Sequence, residues 1–238
     1  MKIEDIEYVV LAKDSSEHSE RARELYNRAY QFWEGFWSKF WERSHQASAK
    51  PASNLSEVFY RQTRVHAFMY ENEFVAMLLQ TRYDLRVNFL GKLNYFSFYS
   101  PEIFEQLRGR GIEVLVTHEF LAVDPVWRRA SIGLPLAPAL VACASQEMGE
   151  VGAQACLGIA RKDVGVHKLC ASLGWSTVQE NFSYNGFDCE VVCLESQDRL
   201  VIPDPLMDCV GSLMGRRQLL VPGATPLAEV LPLKKRAA

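Results

Sequence analysis

Two periods alternate along the chain. Apolar runs, some alternating with polar positions, read as strands over residues 6–12, 64–70, 74–83, 112–123, 153–160, 176–184 and 187–195. Longer stretches with apolar residues three and four apart read as helices over 15–43, 101–108, 136–149, 164–173 and 205–220. Turn residues punctuate the division. Glu71-Asn-Glu73 separates the second and third strands, and Asn185-Gly186 is a strong hairpin signal between the last two. Ser15-Ser-Glu-His-Ser-Glu20 supplies an N-cap followed by acids, a helix start. Gly109 and Gly111 close the short helix.

The second half of the first helix reads Phe32-Trp-Glu-Gly-Phe-Trp-Ser-Lys-Phe-Trp41. Phe32, Phe36 and Phe40 share one helical stripe and Trp33, Trp37 and Trp41 the next. So broad an aromatic face packs on a sheet, lines an acyl-chain or acceptor pocket, or lies in a lipid interface. Phe32, Trp33, Phe36 and Trp37 are the pocket candidates. Residues 44–54 are polar, contain Pro51, and read as a loop.

The stretch from Glu119 to Gly133 organises the rest. Phe120 to Val123 ends a buried strand, and Asp124-Pro125 stops it, because proline lacks an N–H and biases its predecessor towards extended geometry. Arginines, a serine and a glycine follow, and then a helix with Pro135 in its first turn. A strand, a tight polar turn and a helix N-terminus make an anion site, since the first helical N–H groups lack internal partners and the dipole favours negative charge. A pyrophosphate or phosphopantetheine group is the expected ligand.

Composition narrows the classes. Of 238 residues 48% are hydrophobic and the net charge is −3, which argues for a soluble globular protein and against a polyanion-binding surface, so no nucleic-acid partner is expected. The charged N-terminus is no signal peptide, and no apolar run approaches the length of a membrane span, so a cytoplasmic protein is expected. The six cysteines form no Cys-x-x-Cys pair and read as reduced, buried thiols. The five histidines show no ligand spacing with them, so no metal is expected. His66, inside a strand, reads as a satisfied strand histidine.

The spacing Val123-x-Pro125-x-x-Arg128-x-x-Ser131-x-Gly133 resembles the donor-binding motif of the GNAT acyltransferases, with Ser131 where the first glycine of the family usually sits. A second run, Asp163-x-x-Val166-x-x-Leu169-Cys170-x-x-x-Gly174-Trp175, is similar to the family's helix after the fifth strand, with Cys170 in place of its tyrosine. The resemblance implies an α/β fold with a mixed sheet of about seven strands, splayed between the fourth and fifth, and helices on both faces. It covers residues 1–195; residues 196–238 read as a tail with one helix packed on that domain, where a second copy could dock to form a homodimer.

The resemblance also implies transfer of an acyl group from a thioester to an amine of a small molecule or protein. The co-substrate is then acetyl-CoA or another acyl-CoA. Main-chain groups of Val123 and of Arg128, Arg129, Ala130, Ser131, Ile132, Gly133 and Leu134 would hold the donor, with the Val123 N–H on the thioester carbonyl. Glu119 is the candidate base and His118 a weaker one; by strand alternation Glu119 and Phe120 face opposite sides. Cys170 stands where the family's tyrosine meets the leaving thiolate, with packing as its alternative role. Two further readings stay open. Ser131 and the aromatic helix suit a long-chain N-acyl amino acid synthase, related to acyl-homoserine lactone synthases, that uses acyl-phosphopantetheine on acyl carrier protein. Loss of the glycine and tyrosine suits a non-catalytic acyl-CoA sensor.

Overall fold

The computed structural model describes residues 3–14, 19–43, 55–87, 90–128, 134–198 and 200–221. The loop at 44–54, the turn residues Arg129, Ala130, Ser131, Ile132 and Gly133, and the tail beyond 221 lie outside them. Its elements in chain order are β1 (Ile6–Leu11), α1 (Glu20–Arg43), α2 (Leu55–Tyr60), β2 (Arg64–Tyr70), β3 (Glu73–Asp84), α3 (Pro101–Gly109), β4 (Val114–Val123), α4 (Pro125–Arg128), α5 (Leu136–Gln146), β5 (Ala155–Arg161), α6 (Val166–Ser172), β6 (Ser176–Tyr184), β7 (Phe187–Glu195), α7 (Asp204–Gly215) and β8 (Gln218–Leu220).

The strands form one mixed sheet of eight, in the order β6-β7-β5-β4-β3-β2-β1-β8. β4 runs parallel to β5 and β1 parallel to β8. Both predicted hairpins form. Glu71 and Asn72 (φ 47° and 65°) make one turn, Asn185 and Gly186 (φ 50° and 80°) the other, the positive φ pair that matches strand twist. Two layers cover the sheet. One packs α5, α6 and α7 on alternate side chains such as Val10, Leu78 and Val116; the other packs α1, α2 and α3 on their neighbours such as Leu11, Leu79 and Leu115.

Two expectations need correction. The last helix stops at Gly215, and residues 218–220 pair with Val9–Leu11 instead, giving an eighth strand. Arg217 precedes that strand with its side chain almost wholly buried and its guanidinium on Glu147 (3.1 Å) and Glu150 (3.3 Å), which pins the segment to the sheet edge. The alternation of Glu119 and Phe120 also fails. Met77 lies opposite Ala122 while Leu79 lies opposite Glu119, so β4 holds one extra residue, a β-bulge. Phe120 takes φ 54°, which an L-residue rarely adopts, and its ring packs on Trp33 and Trp37 at 5.5 and 5.2 Å. Glu119 and Phe120 therefore both face the α1 side.

Candidate functional site

The parallel ladder between β4 and β5 runs from Leu115–Ala155 to His118–Gly158 and then stops. Residues 119–123 and 159–161 continue within their strands without pairing to each other, bonded only to β3 and β7. The sheet opens at this point, and a cavity of about 680 Å³ passes through the gap. Gly158 sits at the vertex; a Cβ there would meet the His118 carbonyl at 3.5 Å and Val192 at 3.6 Å.

Main-chain groups face the gap. The Asp124 N–H donates to the Val75 carbonyl at 3.0 Å. Bonded residues alternate in an antiparallel ladder, so Val123 turns its N–H and carbonyl away from β3, into the opening. Arg128 folds back to it: Nε donates to the Val123 carbonyl at 2.9 Å, and the guanidinium lies 5.5 Å from the Phe36 ring. Asp124 caps α4 by accepting from the Val126 N–H at 2.8 Å. Leu134 and the first residues of α5 line the same cavity, so the N-terminus of α5 opens into it.

Glu119 reaches the cavity from the α1 side of β4 with its side chain 1% exposed. The Thr117 hydroxyl donates to Oε1 at 2.6 Å, and Arg61 at the end of α2 donates to Oε2. Arg61 also donates to the Tyr83 hydroxyl at 2.7 Å and lies over the Tyr95 ring. Burial pushes the Glu119 carboxyl up, and the Arg61 charge and the hydroxyls of Thr117 and Thr81 pull it back only in part. This carboxylate is hydrogen-bonded yet more basic than an exposed one.

The other candidates separate. His118 lines the α5/α6 side, against Trp175 at 5.6 Å, and burial holds it down to about 3, a poor base. His66 is fully buried and bonded through Nδ1 to the Tyr8 hydroxyl at 2.8 Å, a strand histidine as expected. Cys170 lines the cavity from α6, but burial pushes its thiol up to about 12, so it stays protonated. Of the aromatic candidates, Phe36 and Trp37 line the cavity. Trp33 is buried in the core on Phe59 and Phe120, and Phe32 rests on Phe36 and Phe74. The lining continues one turn later with Phe40 and Trp41, and on the hairpin with Tyr184 and Phe187. Sequence reading missed Arg61, Tyr83 and Tyr95. The one local signal was Thr117-x-Glu119, two polar residues sharing a strand face.

Among the described residues no group of three or more potential metal ligands occurs, and no helix is long and apolar enough to cross a membrane. The six cysteines are free, and all but Cys209 are buried.

No family model and no curated protein matches the chain. Solved structures do match in shape. A CoA-dependent acyl-homoserine lactone synthase, BjaI, with SAM and isopentyl-CoA, superposes at a TM-score of 0.56 with 9% identity, over 90% of this chain and 93% of that one. The same synthase with MTA gives 0.54 at 11% identity over the same shares. FeeM, an N-acyl amino acid synthase from uncultured soil microbes, is more distant at 0.46, with 11% identity over 79% of this chain and 88% of that one, and adds nothing to the assignment. The two superpositions above 0.5, each over 90% of this chain, show a shared fold. The chain has the GNAT fold.

Proposed function

We propose that the chain is an N-acyltransferase that moves an acyl group from acyl-CoA to an amine. One observation carries this reading: the gap between β4 and β5 joins the Val123 main chain, the N-terminus of α5 and the Glu119 carboxylate in a single cavity. The donor arm lies in the gap with its phosphates towards α5, where unpartnered N–H groups favour anions. Arg128 and Leu134 flank that end; the parts assigned to Arg129, Ala130, Ser131, Ile132 and Gly133 rest on the motif alone.

In the reaction the amine nitrogen attacks the thioester carbonyl carbon. Negative charge collects on the carbonyl oxygen, and the Val123 N–H donates to it; one such donor is typically worth ~3 kcal/mol of barrier. Glu119 accepts the amine proton, directly or through a water. The leaving thiolate takes its proton from water. Cys170, at about 12, is a weaker acid than the departing thiol at ~8.5 and has little tendency to supply it. Packing is the role this leaves for Cys170.

A second reading, a long chain delivered on acyl carrier protein, draws on the aromatic and aliphatic lining of the cavity, which suits a long acyl chain whichever carrier brings it. Thiol release from acetyl-CoA, dodecanoyl-CoA and dodecanoyl-acyl carrier protein over an amine panel tests both. Turnover with CoA thioesters supports the main reading, and turnover with the carrier-protein donor alone supports the second. Acyl-CoA binding by calorimetry with no turnover on any amine would mark a sensor and end both.

A further inference from the structure

The cavity has two unlike halves, and the sheet divides them. On the α5/α6 side its wall is mostly aliphatic, with Leu78, Val141 and Val192, beside His118 and the rings of Trp127 and Trp175. On the α1 side it is aromatic, with Phe36, Trp37, Phe40, Trp41, Tyr184 and Phe187. Glu119 points into the aromatic half from the strand face it shares with Thr117, and the bulge brings the Phe120 ring to the same side. The N-terminus of α5, where donor phosphates are expected, belongs to the opposite layer.

We propose that the aromatic half is the acceptor subsite and that its ligand is a primary monoamine on an aromatic body. This rests on the acyl-transfer reading and adds the acceptor class to it. An amine must reach Glu119, so its body lies where the cavity meets Glu119, against the rings of α1 and the hairpin. Aromatic walls favour a ring by offset or edge contact, and their faces also attract an ammonium before it loses its proton.

Charge among the described residues disfavours the competing acceptors. Glu119 is the one carboxylate among the described lining residues, so a polyamine finds no second anion. The described lining holds two guanidinium groups. Arg128 is bonded to Val123, and Arg161 is wedged between Phe187 (3.7 Å) and Phe40 (4.9 Å) while its Nε donates to Asp163 at 3.0 Å. Arg161 is thus held by Asp163, and Arg128 flanks the end assigned to the donor phosphates, so neither is offered to the carboxylate of an amino acid beside Glu119. The transfer balances: the C–N bond forms as the C–S bond breaks, the electron pair leaves on sulfur, the amine proton goes to Glu119 and water protonates the thiolate.

The test is thiol release from acetyl-CoA by the full chain with 2-phenylethylamine, tryptamine, spermidine, phenylalanine and a lysine peptide. The expected result is a kcat/KM for the two arylalkylamines at least tenfold above the others. Trp37→Ala, and Phe187→Ala on a separate element should the first misfold, then raise the arylalkylamine KM about tenfold and leave the acetyl-CoA KM within twofold. Highest turnover on spermidine, phenylalanine or the peptide overturns the proposal. So does a Trp37→Ala variant whose donor chain-length preference shifts while the amine KM stays fixed, because the rings would then hold the acyl chain. No thiol release with any amine, together with no acyl-CoA binding, overturns the acyl-transfer reading and this proposal with it.

Discussion

Replacing Glu119 with glutamine isolates its basicity from its packing. The side chains match in volume, and the amide can still accept from Arg61 or Thr117, now bonded to the carboxylate. Arg61 is about a third exposed (34%), so water screens the charge it is left with. The expected stability loss is about 1–2 kcal/mol, a hydrogen bond weakened in a buried site. Catalysis should suffer more. A positioned base contributes roughly 100- to 10,000-fold, or about 3 to 5.5 kcal/mol of barrier. Because burial raises the Glu119 pKa, turnover of the native chain falls as pH drops through a value above the usual carboxylate range. The assay is thiol release across a pH series, with donor affinity followed by calorimetry. In E119Q, kcat/KM falls at least 100-fold, the acid limb disappears and donor affinity holds within twofold. Activity within threefold of native, with the same pH profile, would show that another group takes the proton.

Three further outcomes follow from named contacts. Cys170→Ala should keep kcat within threefold, because a thiol at about 12 neither attacks nor protonates at neutral pH; a drop beyond 100-fold in thiol release would restore a chemical role. In the folded chain an aromatic disulfide reagent should label Cys209 first and the five buried thiols only on unfolding; rapid labelling of more than one contradicts the packing. His66 is held well below its usual value by burial, and His118 down to about 3. Below about 6.5 the unfolded chain therefore binds protons that the folded chain refuses, and stability falls with pH by at most about 1.4 kcal/mol per unit per histidine. Glu119 and Glu147, both raised by burial, oppose this as pH approaches the carboxylate range. Tm should decline from pH 7.5 to 5.5, and His66→Gln should flatten the slope; an unchanged Tm in the native chain would contradict it.

The sequence made the place of the opening legible and left its chemistry partly hidden. Val123-Asp124-Pro125 and Ala160-Arg161 end apolar runs by local rules, and they lie at the far end of the opening that begins beyond His118 and Gly158. Asn185-Gly186 has intrinsic turn geometry and needs no tertiary help. The bulge at Phe120 carries no glycine to announce it. It depends on register with β3 and on the Trp33 and Trp37 rings, contacts that no window of β4 contains. α2 spans only six residues, too few for a helical period to show, so its Arg61 escaped notice beside Glu119. β8 is three residues long and exists because β1 offers an edge. The aromatic stripe of α1 was plain, but which rings meet the cavity depended on how the helix lies: Trp33 turned into the core, and Phe40 and Trp41 took its place.

The most direct measurement is a crystal structure with a hydrolysis-resistant acyl-CoA analogue. The account predicts the pantetheine arm between residues 119–123 and 159–161, with the carbonyl oxygen about 3 Å from the Val123 nitrogen. An analogue bound elsewhere, or the two strands paired along their full length with no ligand between them, would contradict it.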